Sequence, residues 1–290
     1  LSNVNGRLVV RNAHAGRNTT ITLAALPAGD FPPAVDASGP SWTVAFDDLR
    51  AALKVSRPAI STEEMRLQLQ GALLTRSDGV LRVLATDGHR AMVVTVPAGP
   101  TSEASEILLP VEVIGSLMGL SPTDHKAPVT ISRGTTHAAA TIEQRSLVWK
   151  LEERRFPDVN KVIAKEDGWI SMRLDRVRLL EAVRLVRACV DRSNRVALKL
   201  VPDGLSVSAS NEDIGELVDV IPVAGDELED KAFRVALNVR YLEQYLTTVG
   251  SEEINLMGPP KAEVLEQLHF RPVHLGKLTS SLLVIMPMRL

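Results

Sequence analysis

Between residues 175 and 191 apolar side chains return every three or four positions. At about 100° per residue, Leu179, Ala182, Val183, Val186, Cys189 and Val190 share one helix face. Similar patterns predict helices over 47–56, 110–119 and 238–248, the second with Pro110 near its first turn, where a missing N–H costs little. Short apolar runs bounded by turn residues predict strands at 43–46, 71–76, 80–86 and 91–96, then near 128–132, 137–142 and 147–151. A second series follows at 170–174, 196–201, 205–209 and 216–222, with further strands ending at 282–286. Ser77-Asp78-Gly79 folds 71–76 back on 80–86 as a hairpin, and Asn5-Gly6 before Leu8-Val9-Val10 reads as a turn entering a strand.

The two series are copies of one pattern. Leu26-Pro27-Ala28-Gly29-Asp30-Phe31-Pro32 recurs loosely as Leu151 through Phe156-Pro157, 125 residues on. Trp42 leading into Asp47-Asp48-Leu49 recurs as Trp169 leading into Asp175-Arg176-Val177. Asp78-Gly79-Val80 with Ala85-Thr86-Asp87 recurs as Asp203-Gly204-Leu205 with Ala209-Ser210-Asn211, and Leu109-Pro110-Val111 recurs as Leu237-Asn238-Val239. One unit is then strand, helix, several strands, second helix and more strands: an α+β domain with two helices against antiparallel sheet. The boundaries expected are 1–42 for the tail of one copy, 43–165 for a second and 166–290 for a third. On this reading about 85 residues of the first copy are absent from the chain, which also lacks an initiator Met.

Composition narrows the function classes. Hydrophobic residues make up 45% and charged residues 23%, ordinary for a globular protein, while 3% aromatics leave the cores to Val, Leu, Ile, Ala and Met. A formal net charge of −2 means that any nucleic-acid contact must come from a local patch. One such patch is segment 173–195, where seven Arg face only Asp175, Glu181 and Asp191. Arg176, Arg184 and Arg187 fall together on the helix side away from the apolar face, and Arg192 and Arg195 follow. This is either a solvated amphipathic helix or a phosphate-attracting face without base readout. In the first full copy, Arg50, Lys54, Arg57 and Arg66 are offset by Asp47, Asp48, Glu63 and Glu64, and the second helix carries Glu112 without a base. A single cysteine, Cys189, excludes an internal disulfide, fits a reducing cytosol and sits at an apolar helical position suited to burial. No apolar stretch approaches the roughly 20 residues of a membrane helix, and the first residues do not form a signal peptide.

Candidate chemistry is sparse. Asp87-Gly88-His89, with His125 and His137 downstream, invites a metal or hydrolytic reading, but successive strand side chains alternate faces and no clustered carboxylates or thiols complete a ligand set. No Gly-x-Ser-x-Gly elbow or phosphate-binding glycine loop is present, and no cofactor is expected. The terminus Leu282-Leu283-Val284-Ile285-Met286-Pro287-Met288-Arg289-Leu290 puts an apolar strand and two flexible thioethers where chains usually end in polar residues. It is either a last strand tucked into its own core or a surface for apolar partners.

Leu84-Ala85-Thr86-Asp87-Gly88-His89-Arg90, Arg155-Phe156-Pro157-Asp158 and Val284-Ile285-Met286-Pro287-Met288-Arg289-Leu290 resemble, in order and separation, the signature segments of bacterial β sliding clamps, the β subunits of DNA polymerase III. The resemblance spans the whole chain. It implies a non-catalytic ring protein of three similar domains per subunit, two subunits head to tail, that encircles double-stranded DNA in the cytoplasm at the nucleoid. It also implies a groove that takes linear peptides from the polymerase III α subunit, the clamp loader, other polymerases and repair proteins. By resemblance the groove comprises Leu69, Thr86, Gly88, His89 and Arg90, then Pro157, Lys161 and Val162, then Asn238, Tyr241, Val264, Val284, Met286, Pro287, Met288 and Arg289. Ala91 stands where a larger aliphatic is usual and Lys161 where Arg is common, so the slot is deeper or looser and lacks a bidentate contact. Arg66, Arg176, Arg184, Arg187, Arg192 and Arg195 are the expected DNA-facing residues. The resemblance sets Ile21 of one subunit against Cys189 and Val190 of the next. The alternative is a truncated, clamp-like peptide-binding adaptor that does not encircle DNA. A hydrolase using Asp87 and His89 is a more distant reading.

Overall fold

The computed structural model describes the chain except Leu1, Asn5, residues 15–16, 31–34, Asp78, residues 100–104, His125, residues 226–227, 229–231 and 261–265, and Leu290. It contains two compact units, Leu1–Asp36 and Ala37–Leu290. In the first, β1 (Ser2–Val4), β2 (Arg7–His14) and β3 (Arg17–Ala24) form an antiparallel three-stranded sheet. Gly6 turns β1 into β2 at a φ of 72°, a backbone conformation that glycine adopts without a Cβ clash.

The second unit opens with β4 (Ser41–Ala45), whose Trp42 and Val44 point inward while Ser41 and Thr43 point out, and continues directly into α1 (Phe46–Ser56). Strands β5 (Gly71–Ser77), β6 (Val80–Thr86), β7 (Arg90–Pro97) and β8 (Ser105–Pro110) lead to α2 (Val111–Met118). Then come β9 (Pro128–Arg133), β10 (His137–Ile142) and β11 (Arg145–Lys150). The pattern repeats as β12 (Ile170–Asp175), α3 (Arg176–Val186), β13 (Arg195–Val201), β14 (Gly204–Asn211), β15 (Gly215–Ile221), β16 (Arg234–Asn238), α4 (Val239–Thr248), β17 (Glu253–Gly258), β18 (Leu268–Pro272) and β19 (Ser280–Ile285). The strand orders β8-β5-β6-β7 and β4-β9-β10-β11 recur as β16-β13-β14-β15 and β12-β17-β18-β19. The expected α+β architecture is borne out, with α1 packed on α2 and α3 on α4.

The two halves meet edge to edge. β7 pairs antiparallel with β19, Ala91 opposite Val284 and Met92 opposite Leu283, merging two four-stranded sheets into one of eight strands. The principal core runs through both halves, from Trp42 and Phe46 to Phe270 and Ile285. Lys277 also reaches back to Asp47 at the start of α1 (Nζ–Oδ2 2.5 Å).

Several expectations need correction. Helix 175–191 stops at Val186, and a tighter 3-10 turn, Arg187–Cys189, follows. The reason lies just beyond: Asp191 accepts from the Ser193 N–H (2.9 Å), and Asn194 adopts a φ of 57°, so this Asp/Ser/Asn turn redirects the chain into β13. The pairing of Trp42 with Trp169 also fails. Ala45 and Asp175 each precede their helix by one residue, an offset of 130 (175 less 45), so Trp42 corresponds to Met172. Trp169 instead lies outside β12, its ring tilted against that of His269 (centres 4.7 Å apart, planes at 58°). Strands β8 and β16 are additions to the expected set; each pairs with the first strand of a hairpin (β5 or β13) and runs directly into the next helix. The Phe31-Pro32 member of the first repeat lies outside the described residues.

Candidate functional site

The β6–β7 turn is built by its own side chains. Thr86 Oγ1 donates to the Arg90 carbonyl (2.7 Å) and accepts from the Gly88 N–H (3.1 Å). Asp87 Oδ1 accepts from the N–H groups of His89 (2.9 Å) and Arg90 (3.0 Å). Gly88 turns the chain at a φ of 92°, with the Arg66 guanidinium lying over it. The Asp87 carboxylate is therefore spent on backbone and on Arg90, while the His89 ring points to solvent. With both carboxylate oxygens accepting from backbone N–H groups and Arg90, Asp87 serves the turn and the strut, and no hydrogen bond joins it to the His89 ring. Among the described residues no group of three or more His, Cys, Asp or Glu is placed to hold a metal; His125 lies outside them.

Arg90 is a buried strut between the halves. Nε donates to Asp87 Oδ2 (2.9 Å), Nη1 to Gln244 Oε1 (2.7 Å) and Nη2 to the Pro58 carbonyl. Its guanidinium carbon lies 4.2 Å from the centre of the Tyr241 ring. Burial pulls its pKa below the ordinary arginine value against the opposing pull of Asp87, and burial likewise raises the Tyr241 phenol. Asn238 is also committed, its Oδ1 capping α4 at the Arg240 N–H (3.0 Å).

The C-terminal tail continues the seam past β19. The Met286 N–H donates to the His89 carbonyl (2.9 Å) and the Met288 N–H to the Ala236 carbonyl (2.8 Å), so the tail bridges the β6–β7 turn and β16. Arg195 reaches the Arg289 carbonyl (3.4 Å). Beneath lies a separate apolar cluster: Leu69, Leu84, Ala91 and Val93 from the first half, Phe156 and Val159 from the linker, Leu282 and Val284 from β19, with Ile163 at its margin. Among the described residues, Val162, next to Ile163 in the chain, is 59% exposed and Met286, just past β19, is 41% exposed. Pro287 and Met288 are half-buried, and Pro157, Lys161 and Arg289 are exposed. Lys161 pairs with Asp158 (3.5 Å). Val264 lies outside the described residues. Sequence reasoning did not assign Phe156, Val159 and Ile163 to the site; the Phe156-Pro157 pair was the available signal.

On the helical side, a cleft of about 1200 Å³ opens between the halves, lined by Arg57, Arg184, Arg187 and Arg240 among others. The expected basic face is partly neutralised there. Glu243 of α4 takes both Arg187 Nη1 (2.6 Å) and Arg184 Nε (3.4 Å). Arg176 turns inward, its Nε donating to the Ser251 carbonyl (2.7 Å) and its Nη1 to the Leu246 carbonyl (2.9 Å) at the end of α4. Arg66 pairs with Glu63 (2.9 Å), Arg192 is exposed, and Arg195 is half-buried on β13. Cys189 is 5% exposed inside the core and Val190 half-buried, so the thiol offers a partner little surface; Ile21, in the other unit, is 49% exposed.

Comparison with known proteins places this arrangement. Residues 43–158 match the family model for the DNA polymerase III beta subunit, central domain. The Beta sliding clamp of Pseudomonas putida is 30% identical over 281 residues, covering 95% of this chain and 73% of that protein. The corresponding protein of Pseudomonas aeruginosa is 29% identical over 280 residues, with the same coverage. A crystal structure of the P. aeruginosa DNA polymerase sliding clamp superposes with a TM-score of 0.86 at 26% identity, over 99% of this chain and 75% of that one. The Thermotoga maritima DNA polymerase III beta subunit shares the fold at a TM-score of 0.81 and 20% identity, over 100% of this chain and 75% of that one. With such likeness over nearly its whole length, the chain belongs to the β sliding clamp family, the β subunits of bacterial DNA polymerase III.

Proposed function

We propose that this chain works as a non-catalytic processivity factor: part of a ring that encircles duplex DNA and holds polymerases, the clamp loader and repair proteins through linear peptides. The observation that carries the reading is the C-terminal tail. Its backbone is bonded to both halves, Met286 is exposed just past β19, and β19 shares an apolar cluster with the linker that carries the exposed Val162. An apolar slot rimmed by polar backbone suits a short peptide with Leu or Phe anchors and an amide side chain. Such a motif binds at about micromolar strength, near −8 kcal/mol, and a polymerase so tethered stays at high effective concentration over the primer end.

In this reading residues 43–165 and 166–290 are the middle and C-terminal clamp domains, and 1–42 is the end of the first. Arg184, Arg187, Arg192 and Arg195 supply attraction to phosphates, while Arg176 serves the fold. The assembly is a head-to-tail homodimer in the bacterial cytoplasm, with Ile21 of one subunit meeting Cys189 and Val190 of the next. No helix among the described residues is long and apolar enough to cross a membrane.

Deleting Met286 through Leu290 tests the groove. The deletion removes two backbone hydrogen bonds of the tail, each worth about 1 kcal/mol, so the fold survives. Binding of a fluorescein-labelled Gln-Leu-type peptide should vanish in a polarisation titration. Unchanged affinity would reject the groove.

A further inference from the structure

Where the linker passes the groove it has no strand partner: the Val162 and Ile163 N–H groups turn back to the Val159 carbonyl (3.1 and 3.2 Å), and one side chain takes up the Val162 carbonyl and the Ala164 N–H. Gln267, 9% exposed and immediately before β18, accepts at Oε1 from the Ala164 N–H (3.0 Å) and donates from Nε2 to the Val162 carbonyl. These two bonds do for the linker what a β-bridge does between strands. A glutamine fits because the position needs a donor and an acceptor on one neutral group. An ionised carboxylate lacks the donor, and Lys or Arg lack the acceptor.

The pin belongs to a polar row. Side chains of β18 alternate: Leu268 and Phe270 are fully buried in the core, while His269 and Arg271 share the other face with Gln267. Glu166, further along the linker, receives His269 Nδ1 (2.5 Å) and Arg271 Nη2 (2.7 Å), and the Trp169 ring lies 4.7 Å from the His269 ring. At its other end the linker is held by Val159 in the apolar cluster. Val162 therefore stands open to solvent between two fixed points.

We infer that Gln267 is a positioning residue for the peptide groove: by pinning Val162 and Ala164 it turns the linker from a slack tether into a preformed wall. The inference rests on the groove reading above. Without the pin the one or two residues around Val162 must be ordered when a peptide arrives, which weakens binding about tenfold.

Gln267→Met keeps the length and apolar bulk of the side chain and removes both bonds; Gln267→Glu, ionised, keeps only the acceptor. In the full chain both variants should weaken the labelled Gln-Leu-type peptide about tenfold, and the Ala164 amide should exchange faster with deuterium. The midpoint of thermal unfolding should move little, because Val162 and Ala164 can turn to water. A wild-type chain that binds peptide, alongside a Gln267→Met chain of equal affinity, would overturn the positioning role while leaving the groove standing. So would an affinity loss that disappears once the unfolded fraction is corrected for. A wild-type chain that binds no peptide overturns the groove reading itself.

Discussion

Replacing Arg90 with Ala should cost about 3 kcal/mol of stability, because the structure uses this residue as a strut between the halves. Its side chain is 7% exposed, and it joins Asp87, Gln244, the Pro58 carbonyl and the Tyr241 face. Removing one partner of a buried ion pair costs about 3–5 kcal/mol, and the cation–π contact adds about 0.5–2 kcal/mol. Two features lower the total. Asp87 keeps its two backbone N–H donors, and its side chain, 16% exposed, is within reach of water. Arg90→Lys should lose about half as much: an ammonium can keep Asp87 but cannot span Gln244 and Pro58 as a planar fork does. Urea unfolding of both variants, fitted at constant slope, measures the loss. Because Arg90 also holds the turn that accepts the Met286 N–H, peptide affinity should fall with stability. A stability loss under about 1 kcal/mol with peptide binding abolished would refute the strut and make Arg90 a direct peptide contact.

Two further outcomes follow from the charge pairings. Glu243→Gln releases Arg184 and Arg187 at little cost to the fold, since exposed pairs contribute under about 1 kcal/mol. DNA association should tighten, and the slope of log K against log salt should steepen by about one; an unchanged slope would make this face ordinary solvated surface. The second outcome concerns acid. Burial holds the His269 pKa below the ordinary 6.5, against the opposing hydrogen bond to Glu166, so the unfolded chain binds the proton first. Stability should therefore begin to fall as the pH drops through 6.5. Burial raises Glu166, but its hydrogen bonds from His269 and Arg271 prevail and set it below the ordinary 4.5, so its share is lost only at lower pH. In His269→Gln the decline just below pH 6.5 should flatten in urea titrations, and an identical profile would mean that another group titrates there.

What the sequence determined by itself was everything local. Periodicity of 3.6 located the four α-helices among the described residues, the third overrun by five residues at its C-terminal end, because an element two or three turns long is selected by which of its own side chains face inward. The repeat disclosed a duplicated α+β unit, since turn residues such as Asp78-Gly79 and Asp203-Gly204 must recur where the hairpin recurs. Composition left the Met-Pro-Met tail open between a last core strand and a surface for apolar partners; it is the resemblance to sliding clamps that singled out the tail and the Thr86–Arg90 turn as a groove. Tertiary structure decided how these pieces spend their polar groups. That Arg90 reaches Gln244, 154 positions away, or that Glu243 takes up Arg184 and Arg187, leaves no trace in local spacing. The same holds for β7 finding β19 and for Gln267 gripping the linker. A charged or amide side chain has one composition but many possible partners. Only packing, by excluding water and leaving particular donors and acceptors within about 3 Å, selects among them.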